Sequence, residues 1–134
     1  MKATTGHLVY WVAPANNGFY KDLFQALGWT VGYDAEYGVE LMLDGASSLW
    51  FVSAAEGAPP GNYDAIGFNH LGLHAPSIAD VDAAQAWLSA KGVKMLFETP
   101  RHRPDFSSPG NTYYQIMFES PDKLLFEIVY TGPV

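Results

Sequence analysis

Hydrophobic positions along the chain change period in a fixed order, and they do so twice. "HLVYWVAP" alternates and is rich in β-branched and aromatic residues, which predicts a strand starting at His7. Phe19, Tyr20, Leu23, Phe24 and Leu27 then recur at helical spacing, with Asn16 and Asn17 as candidate caps. Gly28 is placed to end that helix at positive φ. Three strands follow, "WTVGYDA", "GVELMLD" and "SSLWFVSA", separated by turn residues. After a Pro/Gly-rich linker, Glu56 to Ala65, the order returns. "NHLGLHA" predicts a strand, and Ser77 with Asp80 forms a capping box ahead of a helix carrying Val81, Ala84 and Leu88. Gly92 closes it, and "VKMLFE", "TYYQIMFE" and "KLLFEIVY" predict three more strands. The interval from His7 to Gly28 is 21 positions and that from His70 to Gly92 is 22. A strand–helix–three-strand unit written twice is an internal repeat. It predicts one domain, 1–134, built from two modules of about 5–55 and 66–131.

Strand parity then separates the side chains into two faces. Leu8, Tyr10 and Val12 cover the first helix, leaving His7, Val9 and Trp11 opposite. Leu71, Leu73 and Ala75 cover the second, leaving His70 and His74 opposite with only Gly72 between them. In the last strand Leu124, Phe126, Ile128 and Tyr130 form the apolar face, so Glu127 looks the other way with Leu125 and Val129. A mid-strand carboxylate without a partner is costly to desolvate. His7, His70 and Glu127 thus occupy the non-helix face of three strands. Two imidazoles and one carboxylate leave open positions on a divalent first-row metal. The alternative is a solvated sheet face with Glu127 paired to a lysine; against it, Val9, Trp11, Leu125 and Val129 make the face mostly apolar, as in a pocket.

Composition narrows the partners. With 49% hydrophobic and 15% aromatic residues, the 134-residue chain can bury a sizeable interior. A net charge of −7 argues against nucleic-acid backbones and anionic membrane surfaces and favours a small-molecule ligand. The absence of cysteine removes disulfides, thiolate nucleophiles and Cys-based zinc sites. "MKATTGHLVYWVAP" has one lysine and an apolar run broken by Pro14, unlike a signal peptide, and no apolar stretch is long enough to span a bilayer. A cytoplasmic location is the expectation.

"HLVYWVAP", "FYKDLFQALGWT", "NHLGLHAPSIADVDAAQAWLSAKGVK" and "YYQIMFESPDKLLFEIVY" together cover most of the chain, and it resembles the vicinal oxygen chelate superfamily of glyoxalases, bleomycin- and fosfomycin-resistance proteins and extradiol dioxygenases. The resemblance implies an α+β fold in which two β-α-β-β-β modules form one cup-shaped, mostly antiparallel eight-stranded sheet with helices outside. It implies His7, His70 and Glu127 as ligands of one divalent metal (Fe, Mn, Zn or Ni), and a homodimer, as in relatives of this size. The implied chemistry is that of a lyase, isomerase or dioxygenase acting on neighbouring oxygens. The fourth ligand of glyoxalase I, a glutamate, falls on Trp50, and the extradiol tyrosine falls on Met117. The usual "DPDG" turn reads "SPDK".

His74 is the nearest candidate for a catalytic base. Tyr113, Gln115 and Met117 share a strand face that lines the cup if the family's facing holds. The long segment Glu98 to Asn111 concentrates Arg101, His102 and Arg103, which could hold a substrate carboxylate or phosphate or simply pair with nearby acids. A second function class stays open, a metal-free protein that sequesters an aromatic drug or metabolite, with Trp11 and Trp50 suited to stacking.

Overall fold

The computed structural model describes residues 1–45 and 47–134. The chain divides into two compact units, Met1–Pro60 and Gly61–Val134. In the first, strand β1 (His7–Val12) leads through a 3-10 turn at Pro14–Asn16 into helix α1 (Asn17–Ala26), followed by β2 (Thr30–Ala35), β3 (Gly38–Leu43) and β4 (Ser47–Ser53). They form one four-stranded sheet in the order β1-β4-β3-β2, antiparallel except for the β1–β4 pair. The helix side of this sheet is aromatic. Phe51 is fully buried between Tyr20 and Tyr10, with ring centroids 4.3 and 5.4 Å away. Leu23, Phe24, Val39 and Leu41 complete that core. Asn16 stands at the start of α1 but makes no side-chain cap; Asn17 instead donates from Nδ2 to Ser53 Oγ at 3.2 Å, tying the helix start to β4.

The second unit repeats the plan with β5 (Leu71–His74), α2 (Ile78–Ala90), β6 (Arg101–His102), β7 (Asn111–Glu119) and β8 (Leu125–Pro133). Its sheet runs β5-β8-β7-β6, with β5 parallel to β8 and the other pairs antiparallel. Ser77 caps α2 as expected, its Oγ accepting from the Asp80 N–H at 3.2 Å. Val81, Ala84 and Leu88 are buried from the helix side, with Ile116, Phe118, Phe126 and Ile128 from the sheet. The α+β architecture of two β-α-β-β-β units is therefore present, its eight strands hydrogen-bonded as two sheets of four.

One expected strand is absent. "VKMLFE" makes only a single bridge, Met95 to Phe118, and the edge strand is the two-residue β6 further on. Phe97 and Glu98 adopt φ of 54° and 60°, a left-handed conformation that bends the chain out of any extended ladder. Pro100 then removes a backbone donor. The apolar period of "VKMLFE" carries no trace of either turn.

Candidate functional site

In the second unit the register of β5, β7 and β8 sets out the candidate face. Met117, Glu127 and Gly72 lie in one cross-strand row. The next row holds Arg101, Gln115, Val129 and His74. Glu127 is only 4% exposed, so its carboxylate needs partners. It has two. Tyr113 donates its hydroxyl to Oε1 at 2.6 Å, and His70 Nε2 lies 3.1 Å from Oε2. Gly72 makes room, since a Cβ there would stand 3.3 Å from Oε2.

The imidazole is oriented from behind. Asn69 donates from Nδ2 to the Tyr63 carbonyl at 2.9 Å, which turns its Oδ1 toward His70 Nδ1 at 2.7 Å. That oxygen can only accept, so Nδ1 carries the proton and donates it. In the neutral ring Nε2 then presents a lone pair to a carboxylate oxygen that also carries lone pairs. Two acceptors facing each other at 3.1 Å call for a cation or a proton between them. Two donors at right angles on one ion, each about 2.1 Å from it, would be about 3.0 Å apart, so the pair fits as half of a metal site. Among the described residues, no three His, Cys, Asp or Glu side chains form a group able to hold a metal.

Burial, and next the hydrogen bond to Glu127, push the Tyr113 phenol up to about 12, so it is a neutral donor at physiological pH. Tyr63 is pushed up to about 12 as well, chiefly by donating to Glu119 at 2.6 Å, and the same bond holds the Glu119 carboxyl below its usual range.

The other expected site residues divide by face. Met117 and Gln115 share the Glu127 face, as does Arg101. His102 pairs with Tyr114 in register and hydrogen-bonds Thr112 Oγ1, on the opposite side of the sheet. His74 is exposed at the end of β5.

In the first unit, His7, Val9, Tyr37, Glu40, Ser48 and Trp50 line an open pocket of about 480 Å³ on the sheet face away from α1. Trp11 shares that face but is 66% exposed. Trp50 stands opposite Val9, just as Glu127 stands opposite Gly72, with His7 and His70 each two residues ahead. Asn69 and Glu40 went unnoticed in the sequence. Glu40 carried the same signal as Glu127, a carboxylate between apolar neighbours in mid-strand, while Asn69 carried none beyond adjacency to His70.

Comparison with known proteins adds a family model, described as Glyoxalase/Bleomycin resistance protein/Dioxygenase superfamily, that matches residues 13–128. A candidate glyoxalase from Bacillus halodurans superposes with a TM-score of 0.81 at 24% identity, covering 96% of each chain. The fosfomycin resistance protein FosX from Listeria monocytogenes superposes with a TM-score of 0.66 at 19% identity, covering 96% of this chain and 91% of that one. A FosX variant crystallised with Mn(II) and a dihydroxypropylphosphonic acid gives 0.65 at 18% identity, covering 96% and 90%. At these identities the likeness is one of fold. Bacillus subtilis YqjT, itself uncharacterized, is 38% identical over 64 residues, 48% of this chain and 47% of that protein. The match thus spans about half the length of this curated relative.

Proposed function

Because the chain belongs to the Glyoxalase/Bleomycin resistance protein/Dioxygenase superfamily, we propose that it is a metal-dependent enzyme acting on a small substrate with neighbouring oxygens. His70 and Glu127 hold the divalent ion in this reading. The observation that carries it is the facing pair, Nε2 and Oε2, each fixed from behind by Asn69 and Tyr113. Such outer partners orient ligands and raise their basicity. Imidazole and carboxylate donors suit Fe, Mn, Zn or Ni.

A bound ion would supply Lewis acidity to a substrate oxygen. The chain's own residues prepare the place. Tyr113 occupies Oε1 and leaves Oε2 as the donor; Asn69 keeps the proton on Nδ1 and leaves Nε2 bare. Gly72 keeps the carboxylate uncrowded, and His74, exposed on the same face, is the candidate to move a proton.

Chelator-treated protein titrated calorimetrically with Mn(II), Zn(II) and Ni(II) tests this. One ion per chain is expected, lost in Glu127→Gln and His70→Ala. Absence of binding by all three metals would sink the reading. The second reading, a metal-free binder of a flat ligand, is favoured by one observation, the pocket where Trp50 and Tyr37 border Val9. Quenching of tryptophan fluorescence by an aromatic ligand in chelator-treated protein, abolished by Trp50→Ala, would support it.

A further inference from the structure

The row beside Glu127 holds two donors without acceptors. Among the described residues, Arg101 Nε and Gln115 Nε2 are both buried and unpartnered, and the two residues face each other across β6 and β7. Gln115 is only 2% exposed, so its amide cannot turn to bulk water for compensation. Cross-strand partners bring their Cβ atoms within about 5.5 Å, close enough for both N–H groups to reach one acceptor. Two positions on, the backbone N–H of Arg103 donates to the Tyr113 carbonyl at 2.7 Å, so Arg103 continues the ladder on the same face. Its guanidinium lies 4.6 Å over the Phe106 ring and makes no ion pair among the described residues. Arg101 spends only Nη1 on a neighbour, the exposed Glu98 at 3.2 Å. An acidic chain has thus gathered two cations and a buried amide donor beside its buried carboxylate.

We infer that Arg101 and Gln115 form an oxyanion-binding subsite that takes a carboxylate or phosphonate group of the substrate, with Arg103 adding charge nearby. Orphaned donors beside a guanidinium match the acceptor-only oxygens of such a group. The subsite lies one side-chain row, roughly 7 Å along β7, from the Glu127 row. A substrate anchored there would reach the carboxylate and His70 with its other end. The inference deepens the proposed function by naming the substrate's anionic end and rests on the same face being the substrate's. It does not need the metal.

Inorganic phosphate is the probe, added to chelator-treated, nitrogen-15-labelled protein. The side-chain resonances of Gln115 Nε2 and Arg101 Nε should shift saturably. Gln115→Glu, nearly isosteric but negatively charged, should weaken binding by at least about tenfold. Arg101→Lys keeps the charge and loses the Nε donor, and should weaken it several-fold while leaving Mn(II) affinity unchanged. Resonances unmoved by phosphate, or equal affinity in Gln115→Glu, would overturn the inference. Phosphate binding intact in a protein that takes no metal would overturn the metal reading alone.

Discussion

Replacing Tyr113 by Phe removes one oxygen atom from the most buried polar contact of the candidate site. The phenol donates to Glu127 Oε1 at 2.6 Å, and Glu127 is 4% exposed, so no water easily takes the donor's place. Hydrogen bonds to a charged group contribute about 1.5–3 kcal/mol. The partial exposure of Tyr113 itself puts the expected loss near the lower end, ~1.5 kcal/mol. With an m-value of about 1.5 kcal/mol per molar urea, the unfolding midpoint should fall by about 1 M. In a Glu127→Gln background the same substitution should cost about half as much, because a neutral acceptor makes the weaker bond. Urea titrations followed by circular dichroism at neutral pH measure all four proteins. A Tyr113→Phe midpoint equal to wild type, or an equal loss in both backgrounds, would refute the reasoning.

Phe51→Ala should cost about 3–5 kcal/mol, since the ring is fully buried and its removal leaves Tyr10 and Tyr20 facing a cavity; a urea midpoint lowered by less than about 0.5 M would contradict the packing. Tyrosinate absorbance during alkaline titration should show Tyr113 and Tyr63 ionising near 12, with one of these steps missing in Tyr113→Phe. A phenol whose folded pKa is raised stabilises the fold fully below about pH 10 and loses that contribution as pH rises through about 12. The Tyr113→Phe deficit should therefore shrink across that window, and a deficit that grew there would show the sign to be wrong.

The parts legible in the sequence were those governed by local period. Alternation in "KLLFEIVY" and "NHLGLHAP" put Glu127 and His70 on one side of their strands, because in a strand the side-chain period is two whatever the neighbours are. Ladder register is not local. Tyr113 pairs in register with Thr131, yet its long side chain reaches along the face past the Gln115 row to Glu127, a contact no spacing reveals. His102 and Arg101 are neighbours in a basic cluster, but consecutive strand residues point to opposite faces, so only one shares the face of Glu127. That distinction depended on knowing that β6 begins at Arg101. The sequence suggested a strand earlier, at "VKMLFE", because positive φ at Phe97 and Glu98 leaves no mark on hydrophobic pattern.

Trp50 and Glu127 occupy matching places in two copies of one plan, but their surroundings differ. Glu127 faces the bare backbone of Gly72, whereas Trp50 is bracketed by Val9 on one strand and Glu40 on the other. Changing Trp50 to Glu would set two carboxylates side by side in cross-strand register, an arrangement that repels. A carboxylate could be accommodated at position 50 only after Glu40 had changed as well. The indole is thus held in place by its neighbour as much as by any use of its own. With both residues in place, no single substitution makes the two halves alike at this position.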